Sequence, residues 1–407
     1  MNCRSCGNFS KYSFLDLGHS PPSNAFLKKK KDMEKVYPLK IFFCEYCYLV
    51  QTHDFASRRE LFNNDYVYFS GFSKTWINHL KKFVRILENK LFLNKNSFVV
   101  EIASNDGTLQ DILSKKNYKS LGIEPTDSTA KVAEAKGLSV IKKFFGKNLA
   151  ISLKKKNFKA DLIVANNVLA HVPKINDFIS GLKILLKSKG IITIEFQHLM
   201  NIIKKNQFDT IYHEHYSYLS LISAKNIFLK HDLEIFDAEK LSTHGGSLRI
   251  FIKHSSDLSK KISKRFKQIL KEEKTFGLDR IDVYRNFQTK VENVRKDFLN
   301  FLNESKKNKK KLCAYGAAAK GNTFFNFLGI KSTHIPFIID KNPFKIGKYL
   351  PGSKIIVKDE KFLIKNKPDY ILIVPWNLKN EIIKQLSYTK KWKAKFITAI
   401  PNIKIFR

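Results

Sequence analysis

Hydrophobic and polar positions alternate along the chain in blocks that predict strands and helices in turn. Between residues 97 and 200, short apolar runs are separated by longer stretches with helical periodicity. The apolar runs predict buried strands at residues 97–102, 120–125, 161–167 and 190–195. Strands that alternate with helices indicate a parallel, doubly wound sheet, and such sheets bind ligands beyond the carboxyl ends of their strands.

A second series of the same kind begins near residue 311. Its strands are predicted at residues 311–315, 336–340 and 370–374. Residues 316–322 form a small-residue turn that opens a helix, and its free N–H groups, Lys320 and Asn322 suit either an anion such as a nucleotide diphosphate or simple packing. The amphipathic residues 255–310 predict one or two connecting helices with solvated charged faces.

The first sixty residues differ from both series because they carry two CxxC knuckles. At this spacing four thiolates fit a tetrahedral zinc site, which is closed to substrate and therefore structural. The predicted ligands are Cys3, Cys6, Cys44 and Cys47. Residues 17–22 are predicted to be a loop between the knuckles, and Cys313, in an apolar strand, is predicted to be a buried thiol.

A chain of 407 residues is longer than a single hydrophobic core ordinarily supports, so several domains are predicted. We divide the α/β chain into domains at residues 1–62, 63–235 and 236–407. The 43% hydrophobic content is that of a folded protein, no apolar run reaches membrane-span length, and the first residues resemble neither a signal nor a transit peptide. We therefore expect a cytoplasmic protein without a membrane partner.

The formal charge of +38 raises the question of a nucleic-acid partner. The excess is overwhelmingly lysine, spread from Lys28 to Lys404, whereas specific base and phosphate readout favours arginine forks. Clusters such as residues 154–156 and 309–311 fall where solvated helix ends or loops are expected. We expect no nucleic acid, and an anionic small substrate also suits this charge.

Two cofactor chemistries compete for the first parallel sheet. A dinucleotide site needs GxGxxG, of which only Gly107 is present. S-adenosylmethionine needs a small-residue turn after the first strand, which Ala103, Ser104 and Gly107 offer, and a carboxylate after the second strand for the ribose, which Glu124 offers. Glu101 suits the amino-acid end of this cofactor. A generic strand–turn–helix with an acidic tip remains the alternative.

The densest chemistry in the chain lies at residues 212–218, where two histidines, one glutamate and three tyrosines occur within seven residues. Histidine is the usual proton carrier near neutral pH, and a neighbouring carboxylate can orient it. In an extended conformation, Tyr212 and Glu214 would share one face and His213 and His215 the other. The alternatives are a polar loop or half of a metal site. His171, after the third of the predicted strands, is a second catalytic candidate beside the cofactor edge.

These motifs together resemble the three-domain, S-adenosylmethionine-dependent C-methyltransferases that act on nucleotide-linked 4-keto sugars in deoxysugar biosynthesis. The resemblance covers nearly the whole chain in order. It rests on the CxxC knuckles and on residues 101–107, 166–173, 212–218, 244–249 and 316–322. It implies a zinc-bound N-terminal lid, a class I Rossmann-like methyltransferase domain and a C-terminal Rossmann-like domain that helps to hold the nucleotide sugar.

The resemblance also implies residue roles. His215 would be the base, with the other catalytic positions at Glu214, Tyr212, His171 and, from the lid, Tyr66. Cofactor contacts would come from Glu101, Ala103, Ser104, Asn105, Gly107, Glu124, Asn166 and Asn167. Substrate contacts would come from His244, Ser247, Lys320 and Asn322.

The implied reaction is removal of a proton beside the ketone, followed by transfer of a methyl group to that carbon, which the family places at carbon 3. Three other functions stay open at this point. They are RNA methylation by a zinc-ribbon enzyme, a non-catalytic scaffold that retains the fold, and O-methylation of the same sugar. We expect a monomer or a homodimer.

Overall fold

The computed structural model describes residues 1–62, 68–91 and 93–406. The N-terminal elements are β1 (Tyr12–Ser20), β2 (Tyr37–Phe43), β3 (Val50–Thr52) and α1 (Arg58–Leu61). The middle elements are α2 (Lys74–Leu91), β4 (Phe98–Ile102), α3 (Thr108–Ser114), β5 (Lys119–Ile123), α4 (Asp127–Glu134), β6 (Val140–Ile141), α5 (Lys147–Lys155), β7 (Ala160–Asn166), α6 (Ile175–Leu185), β8 (Leu186–Gln197), α7 (Leu199–Lys204), β9 (Ser217–Tyr218), α8 (Leu221–Leu229), β10 (Leu233–Leu241), β11 (Ser247–His254) and α9 (Lys264–Phe276). The C-terminal elements are α10 (Asp282–Arg285), α11 (Phe287–Lys307), β12 (Leu312–Tyr315), α12 (Ala319–Leu328), β13 (Phe337–Ile339), β14 (Ile356–Lys358), α13 (Glu360–Asn366), β15 (Tyr370–Ile373), α14 (Lys379–Gln385), β16 (Lys395–Thr398) and β17 (Lys404–Phe406).

The middle domain is built on a seven-stranded sheet with the order β10-β11-β8-β7-β4-β5-β6. Strands β4 to β8 are parallel, and β11 runs antiparallel between β10 and β8. The predicted doubly wound sheet is therefore confirmed. The strands could be predicted because buried parallel strands appear in the sequence as continuous apolar runs. The boundary that we placed between residues 235 and 236 cuts β10, because β10 and β11 complete this sheet.

The C-terminal domain is built on a six-stranded sheet with the order β14-β13-β12-β15-β16-β17. Its first strand, β12, pairs in parallel with β13 on one side and β15 on the other. The chain therefore winds outward in both directions from β12, and a ligand-binding crevice is expected where the direction reverses. The turn at residues 316–321 lies at that point.

The N-terminal sheet is antiparallel, with the order β1-β2-β3-β9. The loop predicted at residues 17–22 is wrong in part, because β1 continues to Ser20 by pairing with β2 across an irregularity between Asp16 and His19. The fourth strand, β9, comes from the middle domain and forms the last two residues of the histidine-rich stretch. The zinc-bearing sheet is therefore hydrogen-bonded to the segment that carries the catalytic candidates.

A shared hydrophobic core fixes the N-terminal domain against the rest of the chain. The rings of Phe14 and Phe43 each lie 4.8 Å from the ring of Tyr284, and Phe287 lies 6.2 Å from Phe14. These side chains belong to one cluster with α11 and α12. The N-terminal domain, which the resemblance implies to be a lid, therefore packs against both of the other domains. Within the described ranges, no helix has both the length and the apolar character to span a membrane.

Candidate functional site

The four knuckle cysteines converge at one end of the N-terminal domain. All four Sγ atoms lie within 4.8 Å of one another, with Cys3 and Cys47 3.4 Å apart and Cys6 and Cys44 3.5 Å apart. Four thiolates around a zinc ion at about 2.3 Å are separated by about 3.8 Å, so the cluster fits tetrahedral zinc. This confirms the predicted metal site and its ligands.

The turn after β4 has the shape expected of a cofactor edge. Ala103, Asn105 and Gly107 all adopt left-handed backbone angles, with φ of 55°, 52° and 72°. The Glu124 carboxylate, at the end of β5, accepts hydrogen bonds from the Asn105 N–H at 2.9 Å and the Thr126 N–H at 2.8 Å. The structure therefore brings the predicted turn and the predicted carboxylate together.

Buried polar atoms around this turn lack protein partners. Among the described residues they include Glu101 Oε2, Ser104 Oγ, Gln110 Oε1 and both amide atoms of Asn166. Burial, and the carboxylates of Asp106 and Glu124, raise the pKa of Glu101 well above its ordinary value. Buried polar groups are normally paired with protein, water or a ligand, so this cluster can accept a polar ligand, and its carboxylates favour a cationic one. The residues thus fit S-adenosylmethionine, whose amino and sulfonium groups are positive.

Two of the predicted cofactor residues have side chains that serve other contacts. The Asn105 amide accepts from Ser70 N–H at 2.9 Å and donates to Tyr68 O at 3.1 Å, so it holds the segment before α2 over the turn. The Asn167 amide lies 3.3 Å from His244 Nε2, while its backbone N–H donates to Glu195 O at 2.8 Å. We assign these two side chains to shaping the edge.

Residues 212–215 of the histidine-rich stretch form a turn. The alternation of side chains between two faces, expected of an extended chain, is therefore wrong for these residues. His215 N–H donates to Tyr212 O at 2.9 Å, which folds the chain back within four residues. The rings of Tyr212 and His215 therefore lie against each other, with their centroids 4.0 Å apart and an angle of 31° between their planes. His171 joins them from the end of the third predicted strand, with its ring 4.6 Å from that of His215.

Backbone carbonyl oxygens fix the tautomers of both imidazoles. His215 Nδ1 lies 2.8 Å from Thr210 O, and His171 Nδ1 lies 2.7 Å from Glu214 O. A carbonyl oxygen can only accept, so each Nδ1 carries the proton. In the neutral rings, each Nε2 therefore holds the lone pair that a general base needs.

Burial keeps both rings neutral. It lowers the pKa of His171 to about 4. It also lowers the pKa of His215 well below its ordinary value, with a further decrease from the neighbouring His171. Both groups are therefore unprotonated at pH 7, which is the state from which a base acts.

Glu214 does not orient the neighbouring imidazole as predicted. Its Oε1 accepts from the backbone N–H of Asn24 at 2.9 Å and from the Asn24 amide at 3.1 Å. Asn322, predicted to bind substrate, donates its amide to Ser23 O. Both side chains thus hold the segment that follows β1. Tyr66, the remaining catalytic prediction, lies outside the described residues.

The residues predicted to contact substrate also divide into those at the site and those that make structural contacts. Lys320 extends toward His244, with Nζ 3.5 Å from its carbonyl oxygen and 4.7 Å from the Trp376 ring. Burial lowers the pKa of Lys320, and the negative charge of Asp209 offsets only part of this decrease. Ser247, in contrast, is buried and donates to Thr243 O at 3.0 Å, which leaves it a structural contact.

Several residues at this junction of the middle and C-terminal domains escaped the sequence analysis. Asp209 accepts from Trp376 Nε1 at 2.7 Å and has a second buried oxygen without a protein partner. Trp76 lies 5.7 Å from the His244 ring. The position of Asp209 directly before the histidine-rich stretch was a usable signal, whereas nothing in the sequence linked the two tryptophans to it.

Comparison with known proteins matches three domain families along the chain. Residues 3–62 match a zinc binding domain, residues 77–238 a methyltransferase domain, and residues 242–401 a C-methyltransferase C-terminal domain. Together these matches show an S-adenosylmethionine-dependent C-methyltransferase. The C-methyltransferase NovU of Streptomyces niveus is 28% identical over 405 residues, which cover 99% of this chain and 96% of NovU.

Solved structures also resemble part of this C-methyltransferase. Magnesium protoporphyrin IX methyltransferase from Synechocystis PCC 6803 with bound S-adenosylmethionine is 15% identical, with a TM-score of 0.36, and covers 49% of this chain and 99% of that one. A S-adenosylmethionine-dependent methyltransferase from Anabaena variabilis is 17% identical, with a TM-score of 0.35, and covers 42% of this chain and 83% of that one.

Proposed function

We propose that this enzyme methylates a carbon beside the ketone of a nucleotide-linked 4-keto-deoxysugar, at carbon 3. The observation that carries the proposal is the pair of neutral imidazoles, His171 and His215, whose Nδ1 protons are bound to carbonyl oxygens. Carbon becomes nucleophilic only after a proton beside the ketone is removed. A buried, neutral Nε2 lone pair is the group that such a step requires.

His215 is the proposed base. When bound, S-adenosylmethionine supplies an electrophilic methyl group. His215 Nε2 takes the proton, and the electron pair of the C–H bond forms an enolate. The enolate carbon would receive the methyl group from bound S-adenosylmethionine, and the electron pair of the broken S–CH₃ bond would leave with S-adenosylhomocysteine. The enolate's negative charge stabilises the imidazolium beside it, which offsets the effect of burial on the pKa of His215.

The ketone oxygen needs a hydrogen-bond donor as charge develops on it. His171 and a tyrosine hydroxyl are the candidates for this donor. The Nδ1 proton of His171 is already bound to Glu214 O, and its pKa of about 4 leaves Nε2 without a proton at pH 7. We therefore favour a tyrosine hydroxyl, and Tyr212, whose ring centroid lies 4.0 Å from that of His215, carries one at the site.

The nucleotide part of the substrate is proposed from the C-terminal sheet. Gly316 makes the tight turn after β12 with a φ of 87°, and a side chain at Gly321 would come within 2.6 Å of Val374 Cγ1. Glycines at these positions serve a turn and a close helix–strand contact in dinucleotide-binding folds. Helix α12 begins there without a side-chain cap, and Lys320 lies in its first turn. These features support binding of a diphosphate.

Proton exchange tests the proposal directly. The enzyme is incubated with a nucleotide 4-keto-6-deoxysugar in D₂O, with and without S-adenosylmethionine, and the ring protons are followed by NMR. We expect the signal beside the ketone to disappear without the methyl donor, and a new C-methyl signal to appear with it. A methyl group on oxygen, or no exchange with any nucleotide keto sugar, would contradict the proposal.

A further inference from the structure

Arg4 lies between the two cysteines of the first zinc knuckle, yet its side chain points into the protein. The side chain is only 6% exposed. One terminal nitrogen donates to Pro173 O at 3.1 Å, and the other donates to Thr52 O and to Asp54 Oδ1 at 2.6 Å. The guanidinium carbon lies 5.3 Å from the centre of the Tyr216 ring. No part of the metal site requires an arginine here.

Two of the partners of Arg4 lie close in sequence to the two histidines. Pro173 lies two residues after His171, and Tyr216 lies one residue after His215. The two segments are also bonded to each other, because Tyr216 N–H donates to Ala170 O at 2.8 Å. Arg4 thus holds both segments from the same side.

We propose that Arg4 is a positioning residue that fixes the separation of the two catalytic histidines and so links the zinc knuckle to the base. This inference rests on the proposed role of His215. A guanidinium is planar and presents several donors in a fixed fork, which a lysine cannot reproduce. The imidazole centroids are 4.6 Å apart, and a misplacement of about 1 Å costs roughly 100-fold in rate.

The alternative is that Arg4 only docks the zinc domain, and Asn176 provides the matched control. Its amide donates to Ser5 O at 2.9 Å and to Arg4 O at 3.3 Å, so it holds the same knuckle from α6. Its amide oxygen lies 3.0 Å from His231 Nε2. Asn176→Ala therefore loosens the knuckle without removing the guanidinium contacts to Pro173 and Tyr216.

The test compares Arg4→Met, Arg4→Lys and Asn176→Ala as full-length proteins, each with its zinc content and melting temperature measured. We expect Arg4→Met to lower kcat roughly 10- to 100-fold while KM for S-adenosylmethionine stays within about threefold and zinc is retained. Arg4→Lys should be intermediate, and Asn176→Ala should remain near wild type. If Arg4→Met does not fold, the comparison of Arg4→Lys with Asn176→Ala decides the inference.

Hydrogen–deuterium exchange gives a readout that needs no substrate. In Arg4→Met, peptides that contain residues 168–173 and 210–218 should exchange faster than in the wild type and in Asn176→Ala. Unchanged exchange in both peptides would overturn the inference. It would also be overturned if Arg4→Met had a lower melting temperature and less zinc but a normal kcat. If the wild type turns over no keto sugar, the proposed function fails, and the exchange data still decide the role of Arg4.

Discussion

The middle and C-terminal sheets share one design but present opposite charges to their ligands. In both, a carboxylate after the second strand accepts the N–H of the turn after the first strand. Glu124 binds Asn105 N–H at 2.9 Å, and Asp340 binds Ala317 N–H at 2.7 Å. This carboxylate therefore stabilises the turn in each domain and does not by itself identify the ligand.

The other charges at the two turns do distinguish them. The middle turn has the buried carboxylate of Glu101, whose pKa is raised by burial and by the nearby carboxylates. The C-terminal turn has Lys320 in the first turn of α12, and Lys345, whose Nζ donates to Ala317 O at 2.8 Å. An acidic turn suits a cationic methyl donor, and a basic turn suits an anionic nucleotide. The histidines lie between the two.

The largest effect is expected from a change that spares both sheets. His215→Asn should lower kcat by roughly 10²- to 10⁴-fold, because it removes the base and leaves both ligand edges intact. Dissociation constants for S-adenosylmethionine and the nucleotide sugar, measured by calorimetry, should stay close to wild type. Near-normal turnover would exclude His215 as the base.

Lys320→Met tests the basic turn. We expect the nucleotide sugar to bind roughly 10- to 100-fold more weakly, because a charge-assisted contact to phosphate is lost, while S-adenosylmethionine binding is unchanged. Lys391→Met, at an exposed position of the same domain, controls for the overall loss of charge. Equal weakening in both variants would indicate a general field effect and contradict a specific contact.

Glu124→Gln tests the acidic turn, and here the methyl donor is the ligand expected to bind more weakly. Binding of S-adenosylmethionine should weaken about 10-fold, because an amide gives weaker hydrogen bonds to the ribose and places a donor against the N–H of Asn105. Nucleotide-sugar binding should not change. Glu134→Gln, on the exposed surface of α4, is the control. Weakening of both ligands would argue against separate edges.

A smaller effect is expected in the pH dependence of stability. Burial lowers the pKa of His171 and of His244 to about 4, below the ordinary value of about 6.5 in the unfolded chain. Between these values the unfolded chain binds more protons than the folded one, so the free energy of unfolding falls as the pH falls from 6.5 toward 4.

Melting temperatures measured from pH 7.5 to pH 5 should therefore decrease. His244→Asn should reduce the slope, since asparagine tolerates the left-handed backbone at this position, where φ is 53°. His19→Asn, at an exposed site, is the control variant. An identical slope in His244→Asn would exclude this histidine as a contributor.

The sequence by itself determined the central parallel strands of the middle and C-terminal sheets, the four-cysteine cluster and the small-residue turn after β4. Each of these depends on a local pattern: apolar runs for buried strands, CxxC spacing for thiolates in a tight turn, and small residues where a backbone must turn sharply. The lysine clusters also followed from local pattern, since Lys154 and Lys155 occupy the exposed last turn of α5.

Only the tertiary structure decided which side chains meet. The turn at residues 212–215 brings Tyr212 to His215 and directs Glu214 to Asn24, because contacts with other domains determine that backbone. The boundary placed between residues 235 and 236 falls inside β10 for the same reason, since β10 pairs with β11 and β11 pairs with β8, which is distant in sequence. Long-range pairing leaves no periodic signal in the chain, so sequence patterns give the elements and the folded structure gives their contacts.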